Sequence, residues 1–122
     1  MIEGIRFSDI VVDCPNAGKL RDFYAGLLGW EKLELYGCPA LKGQGMLFLF
    51  VQEEDFIPCV WPEEAGKQQK QMHFDFQVPD VTAAVKKAEA LGAVKAKAQF
   101  GGPHFTTMLD PAGHPFCLCA AD

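Results

Sequence analysis

The feature that most constrains this sequence is an internal repeat, in which one pattern of predicted elements occurs twice. Each copy begins with a short strand of alternating or β-branched residues and continues with an amphipathic helix. A capping side chain starts each helix and a glycine ends it, as Asn16 and Gly29 do in the first copy and Asp80 and Gly92 in the second. A repeat of this size predicts two similar half-sheets rather than a solenoid.

Three short strands are predicted after each helix, separated by glycine and proline turns. They lie near residues 31–36, 39–42 and 46–52 in the first copy, and near 94–100, 104–109 and 115–120 in the second. The pattern is therefore βαβββ, repeated once. We interpret residues 1–122 as one domain, with the first module at about 1–53, a polar linker at about 54–70 and the second module at about 71–122.

Composition narrows the classes of partner that this chain is expected to have. Its net charge of −5 argues against nucleic-acid binding, which needs clustered Lys and Arg. The sequence shows neither a basic amphipathic segment nor a long apolar run, so we do not expect contact with a membrane. We expect a cytoplasmic protein, because a secretory signal is not visible, and five cysteines without framework spacing then favour free thiols.

Three segments carry a resemblance to a known superfamily: DFYAGLLGW at residues 22–30, MHFDFQVPD at 72–80 and DPAGHPFCL at 110–118. In this order they resemble the vicinal oxygen chelate superfamily of glyoxalase, bleomycin-resistance and dioxygenase proteins, and especially its glyoxalase-like domains. The resemblance implies an α+β fold of two βαβββ modules. These would form a mixed, incompletely closed, eight-stranded barrel-like sheet with outer helices. It also implies a homodimer.

In members of that superfamily that bind a metal, each module supplies one ligand from its first strand and one from its last. The resemblance carries the first-strand positions to Asp9 and His73, which we predict as ligands of a possible divalent metal: Zn, Ni, Fe or Mn. The last-strand position of the second module falls on Cys117 instead of glutamate, which favours a softer ion such as zinc. Its counterpart falls near Phe50 or Gln52, so the metal site is interpreted as degenerate.

Several of these residues have more than one interpretation. His73 either lines a cavity without a metal or acts as a base or ligand, and Asp75 on the same strand face either orients it or is simply solvated. Cys117 and Cys119 lie on one face of their strand, where they are either small buried hydrophobic residues or a metal-binding or redox pair. The predicted catalytic residues are His73 and Asp75, and the predicted ligand-binding residues are Asp9, Phe50, Trp61, His73 and Cys117.

Two functions are predicted from this pattern. The first is binding of a small aromatic or heterocyclic molecule in a cavity between the two modules, with Trp61 near its mouth and a degenerate metal site. The alternative is a divalent-metal-dependent lyase or isomerase of the glyoxalase type, in which His73 and Asp9 hold the metal. A third possibility is an obligate dimer that binds a protein partner and has no small ligand.

Overall fold

A computed structural model describes residues 1–121, which form two units. The first unit spans Met1–Glu54 and the second begins at Asp55. The elements of the first unit are β1 (Ile10–Cys14), α1 (Ala17–Leu28), β2 (Glu31–Leu35), β3 (Cys38–Gly43) and β4 (Met46–Gln52). Those of the second are β5 (Phe74–Val78), α2 (Val81–Leu91), β6 (Val94–Lys95), β7 (Phe105–Leu109) and β8 (Pro115–Ala120).

Each unit contains one open four-stranded sheet, and the two sheets have the same topology. The strand order is β1-β4-β3-β2 in the first and β5-β8-β7-β6 in the second. In each sheet the first and last strands of the module pair in parallel, and the other neighbours pair antiparallel. The predicted α+β class, built from two βαβββ modules with mixed sheets, is confirmed.

The two helices begin and end where the sequence predicts. The Asn16 side chain accepts a hydrogen bond from the backbone N–H of Lys19 at 3.1 Å, and Asp80 accepts one from Ala83 at 3.0 Å. These side chains satisfy N–H groups that have no partner within the helix. Gly29 and Gly92 have φ values of 71° and 115°, in the left-handed region that favours glycine. Within residues 1–121, neither helix is long and apolar enough to cross a membrane.

Aromatic side chains fill the core of the first unit between α1 and its sheet. Tyr24 of α1 is fully buried and stacks on Phe50 of β4, with ring centroids 6.2 Å apart. Burying a side chain of this size stabilises the fold by about 1.5–3 kcal/mol. Trp30 follows the helix and packs against Phe48 at 5.3 Å, and its indole covers Gly43 so closely that a Cβ there would overlap it.

Strand β6 is shorter than the strand predicted near residues 94–100, and the side chain of Gln99 explains why. Its Oε1 accepts a hydrogen bond from the N–H of Thr107 at 2.8 Å, and its Nε2 donates to the carbonyl of Thr107 at 2.8 Å. The amide therefore makes the two bonds that a neighbouring strand would make. Ala96 also donates its N–H to the Thr107 carbonyl.

The segment predicted as a linker is attached to the second unit by specific contacts. The indole N–H of Trp61 donates to the carbonyl of Ala98 at 3.3 Å, and the thiol of Cys59 donates to the carbonyl of Gly113 at 3.6 Å. The backbone N–H of Val60 bonds to Gln68 within the segment. Although residues 55–70 contain no helix or strand, they pack as a structured part of the second unit.

Candidate functional site

Strand pairing in the second unit brings polar side chains from three strands to one face of its sheet. Asp75 of β5 lies directly opposite Cys117 of β8, and Cys117 lies opposite Thr107 of β7. Because side chains alternate along a strand, these three share one face, while Phe76 and Phe116 share the other, with rings 6.0 Å apart. We call the first side, with His73, the polar face of the second sheet.

His73 lies one residue before β5 and adjoins this polar face. Its Nε2 atom is 3.4 Å from Oδ1 of Asp75, so the two groups form an ion pair when the imidazole is protonated. Both side chains are accessible to solvent, with 40% of His73 and 64% of Asp75 exposed. They can therefore contact a ligand that approaches from solution.

Cys117 lies next to these two exposed groups on the same face of the sheet. It is buried, and its Sγ atom lies 3.5 Å from the hydroxyl of Thr107, within hydrogen-bonding distance. Burial raises the pKa of the Cys117 thiol, and the negative charge of Asp75 raises it further, although the Thr107 hydroxyl acts in the opposite direction. The thiol is therefore protonated at neutral pH.

The donor atoms of His73, Asp75 and Cys117 all lie within 4.8 Å of one another. An imidazole nitrogen, a carboxylate oxygen and a thiolate sulfur are each established ligands of zinc-type divalent ions. The residues present therefore fit a divalent metal of that kind. The same residues also offer a polar surface on which an organic molecule could be hydrogen-bonded without a metal.

The first unit presents different side chains at the equivalent positions. Asp9 lies one residue before β1, as His73 does before β5, and its carboxylate accepts a hydrogen bond from the Ser8 hydroxyl at 2.6 Å. The register pairs Val11 with Leu49 where the second unit pairs Asp75 with Cys117. The joint binding of a metal by Asp9 and His73 stays a prediction.

Phe50 and Gln52 were considered for the last-strand ligand position of the first module, and both have another role in the structure. Phe50 is fully buried and stacks on Tyr24, so it belongs to the core beneath α1 and has no surface for a ligand. The Gln52 side chain accepts a hydrogen bond from the N–H of Ala17 at 3.2 Å, at the start of α1. The position opposite Val11 is Leu49, whose side chain carries no ligand atom.

Trp61 is held by several contacts in the second unit. The ammonium group of Lys70 lies 4.6 Å from its ring centroid, and Phe100 meets the ring edge-on at 5.9 Å. Lys70 also forms an ion pair of 2.6 Å with Glu63. These contacts give Trp61 a structural role, and its predicted contact with a ligand stays a prediction.

Two residues that support the polar face, Thr107 and Gln99, were not identified from the sequence. Thr107 supports the Cys117 thiol, and Gln99 fixes the backbone of Thr107 through its side-chain amide. The role of Thr107 depends on which residues face each other across strands β7 and β8, and the role of Gln99 depends on how the segment after β6 lies against β7. A single sequence carries no signal for that register.

Comparisons with known proteins agree with this architecture. No curated protein sequence matches the chain. Among solved structures, the fosfomycin resistance protein FosX from Listeria monocytogenes is 17% identical, with a TM-score of 0.68, covering 100% of this chain and 94% of that one. Lactoylglutathione lyase from Agrobacterium tumefaciens is 17% identical, with a TM-score of 0.61, covering 98% and 96%. A hypothetical protein from S. aureus is 15% identical, with a TM-score of 0.70, covering 96% and 94%.

These structural likenesses show a shared fold. A family model described as a glyoxalase-like domain matches residues 9–119, which is nearly the whole chain. It includes both modules and every residue of the polar face. The chain therefore belongs to the glyoxalase-like domain family.

Proposed function

We propose that this protein binds a small aromatic or heterocyclic molecule at the polar face of the second sheet. The observation that carries the proposal is the convergence of His73, Asp75 and Cys117, with the first two exposed to solvent. An imidazole beside a carboxylate can both donate and accept hydrogen bonds, which suits the ring nitrogens and carbonyls of heterocycles. Half-buried Phe105 lies opposite Cys119 on the same face and adds an aromatic contact.

Thermal-shift screening and calorimetry with heterocyclic compounds and saturated analogues of similar size test this proposal. We expect the heterocycles to stabilise the protein, and His73→Ala and Asp75→Asn each to weaken their binding by about tenfold, as expected for a lost hydrogen bond to a charged group. His104→Ala is the matched control, because His104 is also exposed but lies in the turn before β7. Equal binding by the parent and His73→Ala would contradict the proposal.

The second candidate function is a divalent-metal-dependent lyase or isomerase of the glyoxalase type. It is favoured by the three donor atoms that lie within 4.8 Å of one another. His73, Asp75 and Cys117 would hold the ion, and a bound divalent ion supplies Lewis acidity toward a substrate carbonyl. The exposed His73 and Asp75 side chains are also placed to take up or release a proton at the edge of the site.

Elemental analysis of protein purified without a metal-affinity tag tests this second candidate. One equivalent of metal in the parent protein, lost in His73→Ala but retained in His104→Ala, would support it. Metal-free protein that gains neither metal nor lyase activity after incubation with nickel, zinc, iron or manganese would count against it.

A further inference from the structure

We propose that the molecule bound at the polar face is an aromatic cation, with its positive charge beside Asp75 and its ring against Phe105. This inference rests on the proposed function and deepens it, because it assigns the charge of the ligand and its orientation on the sheet. It depends on a second row of side chains, which lies beside the row that contains Asp75.

A single carboxylate sets the charge of the sheet that the ligand would contact. Strands β5, β7 and β8 contain one charged side chain, Asp75, and neither Lys nor Arg. His73 lies 3.4 Å away but carries a charge only when it is protonated, so a neutral imidazole leaves the carboxylate charge unbalanced by this pair. A cationic ligand group can supply that balancing charge and donate a charge-assisted hydrogen bond.

The negative charge of Asp75 acts along the polar face. Burial is the largest cause that raises the pKa of the Cys117 thiol and of the Cys119 thiol, and the charge of Asp75 raises both pKa values further. Both thiols are therefore neutral at physiological pH and do not balance that charge. The field that disfavours a thiolate here disfavours an anionic ligand for the same reason, and it favours a cationic one.

The strand register places an aromatic side chain on the same face as the carboxylate. Gln77 of β5 lies opposite Cys119, and Cys119 lies opposite Phe105 of β7. Alternate residues of a strand share a face, so this second row lies on the side of Asp75. Two strand spacings and two residues along the strand separate Asp75 from Phe105, which places their Cα atoms roughly 12 Å apart. A two-ring aromatic with a short amine arm is long enough to contact both side chains.

The ring of Phe105 is held in place before any ligand arrives. Phe105 is half-buried, and a Cβ at Gly101 would lie 2.6 Å from its Cγ atom, so the ring packs directly against the Gly101 backbone. The N–H of His104 donates to the Gly101 carbonyl at 3.0 Å and closes the turn before β7. A ring fixed in this way loses little conformational entropy on binding, and it prefers an aromatic group to a saturated one.

Isothermal titration calorimetry with three quinolines that differ in charge tests the inference on metal-free protein. The probes are quinolin-4-ylmethylamine as the cation, quinolin-4-ylmethanol as the neutral analogue and quinoline-4-carboxylate as the anion. We expect the amine to bind about five- to tenfold more tightly than the alcohol, the carboxylate to bind most weakly, and added salt to reduce the differences.

The pattern of binding separates this inference from the proposed function. Equal binding of the amine and the alcohol, or tighter binding of the carboxylate, would overturn the inference and leave the proposed function standing. If none of the three binds although other heterocycles stabilise the protein, the inference alone is overturned. If no heterocycle binds at all, both are overturned.

Charge variants locate the group that recognises the cation. Asp75→Asn should bring the amine and the alcohol to nearly equal affinity, because it removes the carboxylate charge and keeps the size of the side chain. Glu89→Gln is the matched control, since it removes the same charge from an exposed position on α2 and should keep the preference. A preference for the amine that persists in Asp75→Asn would overturn the inference.

Aromatic variants locate the group that recognises the ring. Phe105→Leu should weaken binding of the quinoline amine about fivefold without changing its preference over the alcohol, whereas Phe7→Leu, at an exposed position of the first unit, should change neither. The parent protein should also bind benzylamine more tightly than cyclohexylmethylamine, which tests the ring contact even if Phe105→Leu does not fold. Equal binding of these two amines would overturn the assignment of the ring to Phe105.

Discussion

The two sheets share one topology but differ in the chemistry of one face. At three equivalent positions the second sheet has Asp75, Cys117 and Thr107, and the first has Val11, Leu49 and Ala40. The opposite faces are alike, because both are built from aromatic and aliphatic side chains such as Phe50 and Phe116.

This difference shows which positions the fold itself constrains. Phe50 is fully buried against α1, so a polar side chain there would lose packing and be left without partners. Asp75 and Val11 lie on the other face and are both exposed, so either chemistry is tolerated there. The scaffold is thus repeated while the polar side chains at these three positions occur in one copy.

The largest expected effect comes from one close-packed glycine in each module, Gly43 in the first and Gly101 in the second. A Cβ at Gly101 would overlap the backbone carbonyl of Phe105, whereas the nearest atoms to a Cβ at Gly43 belong to the Trp30 side chain. We expect Gly101→Ala to lower the free energy of unfolding by about 3 kcal/mol and Gly43→Ala by about 2 kcal/mol, because a side chain yields more easily than backbone. Urea denaturation measures both.

Gly18→Ala is the control for these two variants. Gly18 lies in α1, and a Cβ there meets only Asn16 Oδ1 at 3.9 Å, an ordinary contact. Alanine favours the helix, so this variant should be neutral or stabilising by up to about 1 kcal/mol. Equal destabilisation by Gly43→Ala and Gly101→Ala would show that the two modules are equally rigid at these points.

An exchange of side chains between the sheets probes the chemical difference directly. Asp75→Val gives the second sheet the residue of the first and should weaken binding of a divalent metal such as Co²⁺ about 100-fold or more. Val11→Asp makes the reverse change at an exposed position and should create no second site, because Leu49 supplies no ligand. Two equivalents of cobalt bound by Val11→Asp would contradict the distinction between the sheets.

The helix caps provide a smaller test of how similar the modules are. Asn16→Ala and Asp80→Ala should each lower the free energy of unfolding by about 1 kcal/mol, since each removes a hydrogen bond to a helix N–H. Asp80 also places a negative charge at the positive end of α2. Asp80→Asn should therefore cost about 0.5 kcal/mol, and addition of salt should reduce that cost.

The smallest effect is expected at alkaline pH. Burial raises the pKa of Cys59, Cys117 and Cys119, all in the second unit, so the folded state holds these protons more tightly than the unfolded state. This stabilisation is complete below the pKa of an unfolded thiol, about 8.5, and is lost as the pH rises through the folded values. Urea midpoints of Cys117→Ser should therefore fall less than those of the parent between pH 8 and pH 10.

The sequence was sufficient to predict the repeat, the helices and the family, because caps, glycines and apolar stripes are local signals. It was also sufficient to direct attention to His73 and Cys117, through the resemblance. The first-module counterpart of Cys117 was predicted near Phe50 or Gln52, and the register pairs Leu49 with Val11 as it pairs Cys117 with Asp75. A shift of one residue exchanges the two faces of a strand, and pattern alone did not fix that register.

Other parts of the site depend on contacts between residues that are distant in sequence. The pairing of Thr107 with Cys117, and the contact of Trp61 with Ala98, arise only when separate segments pack together. The length of β6 was overestimated for a related reason. The repeat predicts a strand near residues 94–100, and only the structure shows that the Gln99 side chain makes the hydrogen bonds that the strand would make.

That glutamine has a consequence for how the protein behaves at high concentration. The unpaired N–H and C=O groups of a free strand edge can bond to a strand of another chain, which is a common route to aggregation. Beyond the two residues of β6, the N–H and carbonyl of Thr107 are already bonded to the Gln99 amide. The Gln99 amide thus occupies the hydrogen-bonding groups that another strand would need in order to pair with the sheet at this point.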